Sequence, residues 1–124
     1  MAGYRDLSVW HRGIDLCIEI YELTKKLPRE ETYALSDQLR RAAVSIPSNI
    51  AEGQAREAGR EFIHFLYIAQ GSRAEIETQL DICVRLKYFS EAQVYKANSL
   101  CGEVGRMLTG LIGRQKALMN EKKN

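Results

Sequence analysis

Apolar residues recur every three or four positions along nearly the whole chain, and this spacing constrains the fold more than any other feature. It aligns apolar side chains on one face of an α-helix. No segment keeps for long the alternation of apolar and polar residues that a half-buried strand requires. The sequence therefore predicts the all-α fold class.

Interruptions in the spacing divide the chain into four predicted helices. The first ends before Pro28, because a proline disfavours helical backbone in the residue before it. The fourth begins at the capping-box pattern Ser90-Glu91-Ala92-Gln93. The four helices are predicted over residues 7–26, 32 or 35 to 55, 59–86 and from 90 onward. Short connections favour antiparallel neighbours, so we predict an up-down-up-down antiparallel four-helix bundle over residues 1–118 and a polar tail over residues 119–124.

The second predicted helix contains a proline in its interior. Pro47 has no N–H for the carbonyl of Ala43 and costs a helix about 3 kcal/mol, which predicts a kink. Ser45, Asn49 and Glu52 lie together on the arc beside the apolar stripe. These residues form either a ligand or partner site, or a buried hydrogen-bond network that satisfies backbone groups freed by the proline. We favour the second interpretation.

A fourth polar residue, Arg73, lies on the third helix, in the middle of the apolar stripe of that helix. A charge on a core-facing position is costly unless it is paired, so we expect a carboxylate partner, with Glu52 as the first candidate. Alternatively, the guanidinium reaches solvent along its methylene stem. Together, Ser45, Asn49, Glu52 and Arg73 constitute a predicted structural polar ridge.

The first helix has more apolar surface than one neighbour in a small bundle can cover. Its two apolar stripes are about 100° apart. One stripe holds Trp10, Ile14, Cys17, Tyr21 and Thr24, and the other holds Val9, Leu16, Ile20, Leu23 and Leu27. Either this helix is unusually buried or its second stripe meets another subunit.

Basic residues cluster locally although the net charge is only +2. We predict Arg40, Arg41, Arg56 and Arg60 as the candidate nucleic-acid-binding residues. Further bases line the end of the chain, namely Arg106, Arg114, Lys116, Lys122 and Lys123. In a ring of five copies the net charge would reach +10 and each patch would repeat, which strengthens attraction to a nucleic acid.

The sequence lacks the residue patterns of known catalytic sites. Glu61 and His64 have the spacing of a di-iron motif, but such sites need a second copy of it. Glu75, Glu77 and Asp81 leave open a metal-dependent hydrolase similar to helical pyrophosphatases, although a solvated acidic face is the simpler explanation. We predict no catalytic residue, no metal site and no cofactor, and therefore a protein that is not an enzyme.

Cysteine usage and hydropathy indicate the compartment. Cys17, Cys83 and Cys101 are odd in number and lie on apolar stripes, which predicts free, buried thiols. No segment reaches the about 18 apolar residues of a membrane span, and the first residues lack the apolar run of a signal peptide. We therefore expect a cytoplasmic protein with no membrane partner.

Three segments carry a resemblance to a known family. They are residues 6–10 (DLSVW), residues 40–53 (RRAAVSIPSNIAEG), and residues 62–72 (FIHFLYIAQGS) followed by 75–80 (EIETQL). The chain resembles the four-helix-bundle family first met as the 23S-rRNA intervening-sequence protein, whose relatives include the accessory variability determinant proteins of diversity-generating retroelements. The resemblance implies a bacterial bundle that assembles into a homopentamer. In the retroelement relatives, it implies a basic scaffold for nucleic acid and a reverse transcriptase.

These observations lead to one main hypothesis and two alternatives. The main one is a non-enzymatic homo-oligomeric scaffold, pentameric by resemblance, that binds RNA or a nucleoprotein partner such as a reverse-transcriptase-like protein. The first alternative is a protein-binding adaptor that never contacts nucleic acid. The second, more remote alternative is the metal-dependent hydrolase.

Overall fold

A computed structural model describes residues 3–123 of the chain. It contains four α-helices, which we number α1 (Ser8–Thr24), α2 (Leu35–Gln54), α3 (Gly59–Arg85) and α4 (Glu91–Lys123). Two short 3-10 turns, Tyr4–Asp6 and Arg29–Glu31, precede α1 and α2. Residues 3–123 include no strand. The predicted all-α class is confirmed, and the ends of the first three helices agree with the predicted ranges to within about three residues.

The helices form a four-cornered bundle in which each contacts two others. Within the described chain the contacting pairs are α1–α2, α2–α3, α3–α4 and α1–α4, whereas α1 and α3 lie at opposite corners. Neighbouring helices run antiparallel. The evidence is that residues near the start of one helix contact residues near the end of the next. In α2 and α3, for example, Gln38 bonds Gln79 while Ser45 bonds Ser72. The predicted up-down-up-down arrangement agrees with these contacts.

The helix boundaries follow from local chemistry. Before α4, the Ser90 N–H donates to the Gln93 side chain at 2.8 Å, and the Gln93 N–H donates to Ser90 Oγ at 3.2 Å, which confirms the predicted capping box. After α3, Lys87 adopts a left-handed backbone conformation with φ 68°, and the Tyr88 N–H donates back to the Cys83 carbonyl at 3.0 Å. These bonds satisfy helix-end groups and turn the chain sharply between α3 and α4.

One continuous core fills the bundle. Of the two apolar stripes predicted on the first helix, the bundle core buries the one that holds Val9, Leu16, Ile20, Leu23 and Leu27. The other helices contribute fully buried aliphatic residues that include Leu39, Ile46, Leu66, Leu80 and Leu108. Each such side chain contributes about 1.5–3 kcal/mol through removal from water. None of the helices in residues 3–123 is both long and apolar enough to cross a bilayer.

Glycine and proline set how closely α1 and α2 approach. The helix α2 continues across Pro47, which is buried. Opposite it on α1 is Gly13, where an added Cβ would lie 3.2 Å from Ile46 Cγ2 and 3.7 Å from Pro47 Cβ. The proline therefore packs against a residue that has no side chain to separate the two helices.

At its C-terminal end, α4 continues through Gly110 and Gly113 to Lys123. The predicted polar tail begins inside this helix, and its last residue, Asn124, lies outside the described residues. The boundary between bundle and tail at residue 118 stays a prediction.

Candidate functional site

Two members of the predicted polar ridge form a hydrogen-bond network with α3. The hydroxyls of Ser45 and Ser72 lie 2.8 Å apart. Asn49 Nδ2 donates to the Ser45 carbonyl at 2.7 Å and to Ser45 Oγ at 2.8 Å. The side chain of Asn49 thus reaches the carbonyl of Ser45 and not that of Ala43, whose usual helical donor is missing at Pro47. This geometry favours a structural role for Ser45 and Asn49.

A second polar pair lies in the same α2–α3 seam, seven residues along each helix from the pair of Ser45 and Ser72. Gln79 Nε2 donates to Gln38 Oε1 at 3.4 Å, and the buried Gln79 Oε1 has no partner among the described residues. Sequence reasoning missed both Gln79 and Ser72. The sequence pattern that could have revealed them is an equal spacing of polar residues on two helices. Gln38 and Ser45 are seven residues apart on α2, and Ser72 and Gln79 are seven residues apart on α3. On antiparallel helices this spacing places the polar residues opposite one another in pairs.

Glu52 and Arg73 do not meet, so the predicted pairing is wrong. Glu52 is exposed and pairs with Arg56 on its own helix at 3.3 Å. Arg73 follows Ser72, and one residue turns a helix by about 100°, so Arg73 points toward α4 while Ser72 points toward α2.

Arg73 instead belongs to a network in the α3–α4 seam. Its Nε donates to Gln70 Oε1 at 2.8 Å, and its Nη1 pairs with Glu77. Gln70 Nε2 in turn donates to the Gly105 carbonyl and to Thr109 Oγ1, each at 3.0 Å. A Cβ on Gly105 would lie 2.8 Å from Arg73 Nε, so the glycine provides the space for the guanidinium.

The candidate arginines at the start of α2 are already engaged. Arg40 Nε donates to Thr24 Oγ1 at 2.8 Å, and its guanidinium lies 5.0 Å from the centre of the Tyr21 ring. Arg41 is exposed and pairs with Asp37 at 2.9 Å. Arg40 thus helps join α1 to α2, and Arg41 projects into solvent beside a carboxylate.

The other two candidate arginines lie beyond the opposite end of α2, Arg56 in the connection to α3 and Arg60 in the first turn of α3. Arg56 pairs with Glu52 and lies 3.9 Å from a Glu61 oxygen, with the Phe65 ring 5.1 Å below its guanidinium. Arg60 is exposed and makes no side-chain contact of these kinds within residues 3–123. Arg40 lies in the second turn of α2 and Arg56 two residues past its end, so they are roughly 20 Å apart along the helix axis. The structure therefore does not bring the four arginines into one patch.

The acidic residues of the hydrolase hypothesis are not gathered either. Glu77 pairs with Arg73, and Asp81 pairs with Arg85 at 3.3 Å. In the described part of the chain, no three His, Cys, Asp or Glu side chains are placed to hold one metal ion. The geometry gives the hydrolase hypothesis no support.

The three cysteines are free thiols, as predicted. Cys83 and Cys101 are fully buried, and burial raises the pKa of Cys83 to about 11 and that of Cys101 to about 12. Both therefore remain protonated at neutral pH, where a thiol is a poor nucleophile. Cys17 is only partly buried, and burial raises its pKa as well.

We expect Asn49→Ala to lower the free energy of unfolding by about 1–3 kcal/mol, because it removes two hydrogen bonds from the half-buried α2–α3 seam. Urea unfolding measures the change, with Asn98→Ala as control because Asn98 is an exposed α4 residue. The control should change stability by less than about 0.5 kcal/mol. Equal values for the two variants would contradict the structural role of Asn49.

The fold and its hydrogen-bonded seams define an all-α protein of the four-helix-bundle class. Within that class, the chain belongs to the 23S rRNA-intervening sequence protein family, whose sequence model matches residues 5–110. The match covers most of the bundle, including the polar ridge and all four candidate arginines.

A solved structure supports the same assignment. It is the crystal structure of a protein with unknown function from the S23 ribosomal protein family of Bacteroides thetaiotaomicron. The two proteins are 28% identical, and the similarity covers 84% of this chain and 97% of the other with a TM-score of 0.78. No curated protein matches the chain. The further likeness to retroelement proteins stays a prediction.

Proposed function

We propose that this protein is a non-enzymatic homo-oligomeric scaffold, with five subunits, that binds RNA in the cytoplasm. The observation that carries the proposal is an apolar surface on α1 that the bundle leaves uncovered. Ile14 and Cys17 are half-buried there, and Ile18 is 59% exposed. Tyr21 continues this surface to α2, where it shares a groove with the exposed Val44. We call these five residues the α1 patch.

A second apolar surface supports a ring. Ile82 on α3 and Leu86 just past its end are both more than a third exposed and lie about one helical turn apart on the same side. We call them the α3 patch. Because the two patches are on different helices, the α1 patch of one subunit can cover the α3 patch of the next. Such head-to-tail contacts close into a ring when the rotation between subunits allows it.

RNA is the partner that the basic residues favour. Arg40, Arg41, Arg56 and Arg60 are the proposed contacts, and a ring of five subunits repeats each of them five times. With a net charge of +2 per chain, one subunit attracts a polyanion weakly, whereas the assembly presents many cations at once.

One observation favours the adaptor alternative. Arg41 and Arg56 are both paired with carboxylates, which reduces their attraction to phosphate. An adaptor would use the same ring to hold a protein partner, such as the reverse transcriptase that the resemblance implies. Its complex would survive nuclease treatment and high salt.

Light scattering coupled to size exclusion tests the proposal. We expect a mass about five times the chain mass of 14.1 kDa. Ile18→Glu should lower this mass, since it places a charge in the α1 patch, and it should leave the helical circular-dichroism spectrum intact. Tyr95→Glu is the control, because Tyr95 is 74% exposed on α4 and belongs to neither patch.

The RNA arm uses a labelled hairpin RNA at about 50 mM salt. A mass that rises with RNA and falls back in high salt supports the RNA scaffold. An oligomer that is indifferent to RNA contradicts RNA binding and favours the adaptor. A monomer at all concentrations contradicts the scaffold itself.

A further inference from the structure

The sequence of α4 contains a short repeat that the proposed contacts do not use. Gly102-Glu103-Val104-Gly105-Arg106 and Gly110-Leu111-Ile112-Gly113-Arg114 share the pattern Gly-x-x-Gly-Arg, eight residues apart. Each glycine in a helix costs about 1 kcal/mol relative to alanine, so three exposed or half-exposed ones on α4 are unfavourable for the helix alone. Only Gly105 has an evident packing role, at Arg73.

The glycines leave space along which the two arginines lie. A Cβ on Gly102 would come within 3.3 Å of Arg106 Nη1, and one on Gly110 within 3.5 Å of Arg114 Nη1. Each guanidinium therefore extends back by about one helical turn over the glycine four residues earlier. Along the helix axis the two guanidiniums keep the eight-residue separation of the repeat, about 12 Å, while eight residues also turn one of them about 80° from the other around the helix.

Among the residues that the structure describes, no carboxylate pairs with these two guanidiniums. Within residues 3–123, neither Arg106 nor Arg114 makes an ion pair, a side-chain hydrogen bond to an acceptor, or a ring contact. They differ in this from Arg41 and Arg56. Both line a surface groove of about 470 Å³ between α4 and the start of α1. Asp6 is the one acidic residue on the groove wall, and its Oδ2 accepts a hydrogen bond from the Gly3 N–H at 3.3 Å.

The separation of the two guanidiniums determines which kind of anion can contact both of them. A single small anion cannot contact two guanidiniums that are separated by about 12 Å along the helix axis. A nucleic-acid strand, in contrast, offers a phosphate about every 3.4 Å along its helix axis. Arginine is well suited to phosphate, because its planar fork of N–H donors matches the phosphate oxygens. The open surface over the glycines also lets a backbone approach the helix closely.

We propose that the groove between α4 and the start of α1 binds the sugar–phosphate backbone of RNA through Arg106 and Arg114. This inference rests on the proposed RNA scaffold and places its strongest contact away from Arg40 and Arg41. Arg106 and Arg114 position the strand by charge and not by base identity, so binding is independent of sequence and sensitive to salt.

Fluorescence anisotropy with a labelled single-stranded oligouridylate of about 20 nucleotides tests the inference. We expect R106A/R114A to lose at least about tenfold in affinity at about 50 mM salt, and to reduce the slope of log K against log salt by about 1.4. R106K/R114K should lose less affinity than R106A/R114A, because the charges remain although the planar forks of donors are lost. Asp6→Asn should bind more tightly than the unaltered protein, since it removes the one acid from the groove.

The control double variant K26A/R29A removes the same total charge at the far end of α1. Lys26 and Arg29 are exposed, and no carboxylate pairs with them in the described residues. If this variant loses as much affinity as R106A/R114A, the effect is one of net charge and the groove is refuted. If the unaltered protein binds RNA and R106A/R114A binds equally well, the groove is refuted while the RNA scaffold stands. If the unaltered protein does not bind RNA, both proposals fail.

Discussion

Ile46→Ala should destabilise the protein by about 3–4 kcal/mol, within the range seen when a large aliphatic residue is truncated in a core. Ile46 is fully buried, and its Cγ2 would lie 3.2 Å from a Cβ added to Gly13 of α1, so it fills the space next to that glycine. The backbone around the lost side chain has little freedom to collapse, because Pro47 follows directly and also packs on Gly13. The removed contacts therefore leave a cavity.

Urea unfolding of Ile46→Ala and Leu118→Ala at one protein concentration measures this effect. Both variants truncate a large aliphatic side chain within a helix, but Leu118 is 49% exposed and belongs to neither patch. We expect the Leu118 variant to lose less than about 1 kcal/mol, and oligomer formation makes the fixed concentration necessary. Similar losses in the two variants would show that Ile46 is not a central core residue.

Gly53→Leu should destabilise the protein by about 3 kcal/mol or more, as overpacking does in a rigid contact. Near the end of α2, even a Cβ on Gly53 would lie 2.8 Å from Phe65 Cβ and 2.9 Å from Phe62 Cδ1. Phe65 Cβ is attached directly to the α3 backbone, so it cannot move unless the helix moves. The substitution therefore forces α2 and α3 apart at the connection between them.

Gly113→Leu is the matched control, because no atom lies within 4 Å of the position of its Cβ. In that helix, replacing glycine with leucine should stabilise the protein by about 0.5–1 kcal/mol through helix propensity alone. Opposite signs for the two variants in thermal unfolding are the expected outcome. A stabilised Gly53→Leu protein would show that α2 and α3 are not in close contact at Gly53.

Much of the fold could be predicted from the sequence, because helices depend on local properties. The spacing of apolar residues gave four helices and their core stripes, and the capping box at Ser90 marked the start of the last one. The resemblance in residues 40–53 agrees with the family to which the chain belongs. The candidate site was less predictable, since a basic side chain in a sequence does not reveal which carboxylates will surround it.

The sequence by itself determined which residues are helical and which of them form apolar stripes, since hydrogen bonding and the helical period act within a few residues. Only the tertiary structure decided which neighbour each remaining side chain meets. Ser72 and Arg73 are adjacent in the chain, yet they join different seams, one with Ser45 and the other across Gly105. Arg41 pairs with a carboxylate, whereas no carboxylate of the described residues pairs with Arg106 or Arg114. The physical reason is that a turn of about 100° per residue sends successive side chains toward different helices, and the packing of those helices fixes the partners.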